Sequence, residues 1–187
     1  MNNRNKIRSF IAIEIPSEIR MDISNQVKLL SKDDFSVRWV EKDNLHITLL
    51  FLGDVDYDFI NKGTEILSTI TKSQQKFKIS LQNFGAFPSV KQPRIIWIGI
   101  KDGASELITL QSRIENNFVK IGYKSEFKKF HPHLTIGRVK FRFTNQKIFE
   151  TEYQSESFEV SSLSLFKSDL TPNGPIYSKI NEFIFYE

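Results

Sequence analysis

Cysteine is absent from the 187 residues. That excludes disulfides, thiolate metal sites and a cysteine nucleophile, and it is compatible with a reducing compartment. No apolar run approaches the roughly 18 residues of a membrane span. The first eight residues, Met1 to Arg8, are polar and lack the apolar centre of a signal peptide, so a cytoplasmic protein is the expectation. Histidine is scarce, with three in the chain, and so are methionine and tryptophan, with two each. There is no low-complexity tract and no flexible linker. Phenylalanine is abundant, at seventeen. It supplies core material for a single domain over residues 1–187, with rings to spare for stacking. The net charge of +4 suits a polyanionic partner, although many proteins carry as much for solubility alone.

Apolar periodicity predicts a mixed fold. A strand is expected over 7–15, then a helix opened by Pro16-Ser17, with Ser17 as N-cap and Ile19, Ile23, Val27 and Leu30 on one face. A polar loop follows at 31–35. A second strand over 45–52 should end at Gly53-Asp54. Beyond it come a helix near 57–72, a strand near 77–84, and a loop from Gly85 to Pro93. A buried strand over 94–100 leads to a helix at 104–121 with Leu107, Leu110, Ile114 and Phe118 on one side. The chain finishes with a strand over 133–140 and tail strands near 158–167 and 176–186, joined by the turn-rich Leu170–Pro175. The class is α+β, antiparallel sheets flanked by helices. The two halves echo each other as strand, helix, strand: 36 residues separate Phe10 from His46, and 36 separate Trp97 from His133.

Two of the three histidines open the same pattern, His46-Ile-Thr48-Leu and His133-Leu-Thr135-Ile. On a strand, residues i and i+2 share a face. Each histidine therefore projects with its threonine, while Ile47 and Leu134 face the opposite side. Two such strands side by side surround one pocket with two imidazoles and two hydroxyls. Imidazole changes charge near neutrality, so one can remove a proton while the other delivers one. Threonine hydroxyls can donate to non-bridging phosphate oxygens. The set suits opening a strained cyclic phosphate, and the residues alone do not say which histidine is acid. The plainer reading is a pair of hydrogen-bonded core histidines. A second enzymatic reading is a zinc hydrolase ligated by His46, His131 and His133, which leaves the repeated threonine unexplained. A third is a non-catalytic module that binds RNA ends.

The sequence resembles the two-histidine (2H) phosphoesterases, and within them the RNA 2′,3′-cyclic phosphodiesterases, also called 2′-5′ RNA ligases. The resemblance rests on Arg8-Ser-Phe-Ile-Ala-Ile-Glu-Ile-Pro16, Asn44-Leu-His-Ile-Thr-Leu-Leu-Phe-Leu-Gly53, Phe84-Gly-Ala-Phe-Pro88, Pro93-Arg-Ile-Ile-Trp-Ile-Gly99, His131-Pro-His-Leu-Thr-Ile-Gly-Arg138, Leu165-Phe-Lys-Ser168 and Gly174-Pro-Ile-Tyr177. It implies a bilobal fold of two pseudo-symmetric lobes around a cleft, no metal or other cofactor, and hydrolysis of an RNA-terminal cyclic phosphate to a 2′-phosphomonoester. His46 is then the proton donor and His133 the acceptor, and reverse joining of ends by a 2′-5′ bond is implied by the family's ligase name. Partners would be RNA ends such as tRNA fragments, or small nucleotide cyclic phosphates. Relatives of the fold act on 2′-5′ oligoadenylates, which the motifs do not separate.

Arg138 occupies a position the family fills with arginine, where a guanidinium would help hold phosphate. Strand parity puts it on the face opposite Thr135 unless the strand bulges at Gly137. Phe10 and the Phe84–Phe87 segment are expected in the core or stacked on a base. Lys124, Lys128 and Lys129 are expected in a solvated loop or against an RNA backbone. A monomer is expected, since no large apolar helix face stands out.

Overall fold

The computed structural model describes residues 6–31, 36–125, 129–172 and 174–186. Its strands are β1 (Ile7–Glu14), β2 (Val37–Trp39), β3 (His46–Val55), β4 (Phe77–Ile79), β5 (Leu81–Phe87), β6 (Ile95–Ile100), β7 (His133–Val139), β8 (Phe158–Val160), β9 (Ser162–Thr171) and β10 (Gly174–Ile184). The helices are α1 (Ser17–Leu30), α2 (Tyr57–Thr71) and α3 (Ala104–Lys120). One four-stranded sheet runs β10-β9-β1-β3 and the other β2-β7-β6-β5, all antiparallel, with β4-β8 as a separate ribbon. The expected α+β class, with antiparallel sheets flanked by helices, is the fold observed.

The helices form where the apolar spacing places them. Leu107, Leu110, Ile114 and Phe118 of α3 are fully buried, as their i, i+3, i+7 recurrence requires. Asp56 caps α2 by accepting from the Phe59 amide at 2.9 Å, which satisfies one of the free amides of the first turn. Ser17 does not cap α1. Pro16 holds the N-cap position without a side-chain bond, and the Ser17 hydroxyl turns to Glu18. Proline carries no N–H and fixes the entry φ by itself.

The strand-helix-strand echo is present: β1-α1-β3 and β6-α3-β7 each close on themselves by antiparallel pairing. The equal 36-residue spacing is not the structural correspondence, however. His46 opposes Glu14 and His133 opposes Gly99, so it is Ala12, opposite Thr48, that matches Trp97, opposite Thr135. Other boundaries also move. β3 continues past Gly53, which at φ 71° is accommodated inside the strand. The strand expected near 77–84 is two, and β5 runs to Phe87, so the loop begins later than Gly85. The Leu170–Pro175 turn is a tight β9–β10 hairpin with its strands extended on both sides. β2, only three residues long, leaves the first half of the chain to pair with β7 in the second sheet. The polar loop at 31–35 lies outside the described residues apart from Ser31.

Core residues from both sheets and all three helices form one continuous cluster. β3 of one sheet packs beside β7 of the other. Among the described residues no helix is long and apolar enough to cross a membrane.

Candidate active site

A cleft of about 950 Å³ opens where β3 and β7 meet. His46, Thr48, His133, Thr135 and Arg138 all line it, so the structure brings together all five residues singled out in the sequence. Ile47 and Leu134 point the other way and are fully buried. That is the outcome of two-residue alternation on strands with one apolar face.

The two motifs are matched in three further details. The His46 Nδ1 lies 2.7 Å from the Asn44 carbonyl, and the His133 Nδ1 lies 2.6 Å from the His131 carbonyl. A carbonyl only accepts, so each Nδ1 carries the proton and donates it. That leaves Nε2 of each neutral ring as the proton acceptor. Second, each strand is bulged at the residue after the threonine. On β3, Thr48 opposes Ala12 and Leu50 opposes Ile11, leaving Leu49 extra; on β7, Thr135 opposes Trp97 and Gly137 opposes Ile96, leaving Ile136 extra. An extra residue reverses side-chain parity beyond it. Phe51 and Arg138 thereby return to the cleft face, and the condition set on Arg138 is met one residue before Gly137. Third, each imidazole stands in an aromatic box. Phe10, Tyr177 and Phe166 surround His46 at centroid distances of 4.8, 5.3 and 6.5 Å. Phe87 and Trp97 approach His133 at 5.0 and 6.3 Å.

Electrostatics follow from that packing. Burial pushes the His46 imidazolium pKa down to about 4; the Asn44 carbonyl opposes the fall, Arg138 adds to it and Glu14 opposes it. His133 is also lowered, chiefly by burial, with the His131 carbonyl pulling it back up. Both rings are thus neutral at pH 7 in the free protein. Among the described residues, neither Thr48 nor Thr135 spends its hydroxyl on another protein group.

The other residues considered in the sequence fall differently. Phe10 is 1% exposed and packs on His46, so it positions a histidine and offers no face to a base. Phe84 is buried against Tyr153. Phe87 reaches the cleft. Lys129 lines the cleft and Lys124 a smaller hollow beside β3; Lys128 lies outside the described residues. His131 turns edge-on to Trp97 at 5.3 Å and to Phe87 at 5.7 Å. Among the described residues no group of three or more His, Cys, Asp or Glu side chains could hold a metal ion, so the three-histidine ligand set is not assembled.

Sequence reasoning missed Arg38, Trp39 and Tyr177, which line the same cleft. Tyr177 carried a signal in the Gly174-Pro-Ile-Tyr177 motif. Arg38 and Trp39 carried none, because a three-residue strand has no readable periodicity.

Comparison with known proteins bears on the family and the fold. Residues 16–172 match the model of the 2′-5′ RNA ligase superfamily. An RNA 2′,3′-cyclic phosphodiesterase from Archaeoglobus fulgidus is 40% identical over 180 residues, covering 95% of this chain and 99% of that protein. One from Methanocaldococcus jannaschii is 39% identical over 183 residues, covering 95% and 100%. Among solved structures, a Thermus thermophilus protein, TT0787, superposes with a TM-score of 0.84 at 21% identity, covering 96% of this chain and 98% of that one. E. coli LigT complexed with 3′-AMP gives 0.81 at 24%, covering 97% and 99%, and both likenesses establish the shared fold. With the family model spanning most of the chain and full-length relatives at this identity, the chain belongs to the 2′-5′ RNA ligase superfamily.

Proposed function

We propose that this protein hydrolyses the 2′,3′-cyclic phosphate at an RNA 3′ end to a 2′-phosphomonoester, with His133 as general base and His46 as general acid. His133 Nε2 takes a proton from a water that attacks phosphorus. The bond from phosphorus to the 3′ oxygen breaks, and His46 protonates that oxygen as it leaves. Thr48, Thr135 and Arg138 hold the non-bridging oxygens, where negative charge gathers in the transition state. The observation that carries the reading is the duplication: two His-x-Thr strands, each with the same Nδ1 bond and the same bulge, on one cleft. The substrate is suggested by relatives named RNA 2′,3′-cyclic phosphodiesterase.

The direction of proton flow comes from the family resemblance, and the electrostatics set a condition on it. His46, at about 4, is deprotonated in the free protein. An anion bound beside an imidazole favours its charged form, so the phosphate itself recruits the proton that His46 later gives up. With an RNA 5′-hydroxyl in place of water the same steps join two ends: the 5′ oxygen bonds phosphorus, the bond to the 3′ oxygen breaks and that oxygen takes the proton, leaving a 2′-5′ linkage, as the superfamily's name suggests. Acid, base and charge stabilisation are all side chains of one chain, so the mechanism calls for neither a metal nor a second subunit.

The test is a short RNA bearing a 2′,3′-cyclic phosphate, incubated in EDTA with wild type, His46→Ala and His133→Ala. The expected product is a 2′-phosphate, with each variant slowed by roughly 10²–10⁴-fold. A 3′-phosphate product, or activity that EDTA abolishes, would refute the proposal.

A further inference from the structure

The cleft carries more positive charge than one cyclic phosphate needs. That group bears a single negative charge, and Arg138 already faces it. Arg38 stands on β2 directly opposite Arg138 on β7. Cross-strand partners project to the same face, roughly 5 Å apart at Cβ, and like charges placed so are destabilising. Both side chains are exposed and both line the cleft. Among the described residues neither guanidinium has an ion-pair or hydrogen-bond partner. The two cleft carboxylates do not neutralise them. Glu115 accepts from Gln111 at 2.9 Å and Ser125 at 2.5 Å, and Glu41 is exposed in the segment after β2.

The head of Arg38 is also placed. A Cβ on Gly174 would come within 2.6 Å of its Nη2 and 3.3 Å of its Cζ. The guanidinium therefore lies against the bare backbone of the β9–β10 hairpin, where Gly174 adopts φ 129°. Two adjacent guanidiniums, one at the reaction centre and one a ladder step further out, match successive phosphates of a single strand.

We propose that Arg38 forms a second phosphate subsite, which takes the phosphodiester linking the terminal nucleotide to its neighbour. The inference rests on the hydrolytic reading above and adds that the protein recognises an oligonucleotide end in preference to a mononucleotide. The experiment measures kcat/KM for a nucleoside 2′,3′-cyclic phosphate and for a dinucleotide ending in one, with wild type, Arg38→Gln and Arg38→Lys. Wild type should favour the dinucleotide by roughly tenfold or more, the worth of one charged hydrogen bond. Arg38→Gln should bring the ratio of the two towards one and lower the salt slope for the dinucleotide by about one. Arg38→Lys should keep part of the preference. A ratio that Arg38→Gln leaves unchanged, or a wild type with no preference, would overturn this inference alone. Hydrolysis of neither substrate by wild type would overturn the reading on which it rests, and the inference with it.

Discussion

An imidazole that donates through Nδ1 to a backbone carbonyl cannot swap tautomer without losing that hydrogen bond. His46 and His133 both make that bond to the residue two before them. Each therefore presents a defined Nε2 to the cleft. Arg138 is the charged side chain that most directly tunes one of them, since it depresses His46. Arg138→Gln should accordingly raise the His46 titration, because removing a positive neighbour favours the imidazolium. It should also weaken turnover of the anionic substrate by roughly tenfold or more. An NMR titration of the His46 ring that stays put or moves down would contradict that placement. At this scale the sequence showed the histidines and threonines, because alternation on a strand follows from spacing alone. It could not decide the face of Arg138, because a bulge is a property of pairing. It also left the role of Phe10 open: whether a ring packs on a histidine or on a base depends on which wall it belongs to.

The bulges are the devices by which two strands become two halves of a site. After Thr48 the shift returns Phe51 to the cleft, and after Thr135 it returns Arg138. One motif thus ends in an aromatic ring and the other in a cation, so duplicated strands build an asymmetric cleft. Aromatic packing holds the second motif in turn. A Cβ on Gly85 would lie 2.1 Å from the Trp97 ring, so glycine is what lets that indole lie flat across β5 and reach the histidines of the second motif. Gly85→Ala should cost about 1–3 kcal/mol of stability, as overpacking does, and should lower activity by displacing Trp97. A variant with wild-type melting temperature and turnover would disprove this support role. The three helices and most strands were legible because their apolar periods run over many residues. β2 was not, since three residues carry too little pattern; β4 and β8 were read only as the starts of the longer strands near 77–84 and 158–167, because the break that sets them apart as a ribbon is a property of pairing.

Across the whole molecule, the same burial that sharpens the site makes it sensitive to acid. His46 binds its proton at about 4 in the folded protein, against 6.5 for an ordinary imidazole. The unfolded chain therefore takes up that proton first as pH falls. Stability from this group is fully present above about 6.5 and is lost progressively towards 4. His46→Gln should flatten that part of the stability curve, measured by denaturant melts between pH 7 and 4; an unaltered slope would contradict the depressed titration. The pseudo-twofold arrangement was partly readable as strand, helix, strand repeated. Its true register, with Ala12 rather than Phe10 matching Trp97, appears only in the pairing, because helix and loop lengths between paired strands are free to differ.

Two like imidazoles that perform opposite proton transfers across one cleft should both show in the pH dependence of kcat/KM for a 2′,3′-cyclic phosphate RNA, measured in wild type and in each single histidine variant. With both rings depressed in the free protein, the wild-type profile should be a bell lying on the acid side of neutrality, since it reports the pair's titrations in the free enzyme. The acid limb should vanish in His133→Ala, which has no base to protonate. The alkaline limb should vanish in His46→Ala, which has no acid to lose its proton. A bell that survives intact in either variant would contradict the account.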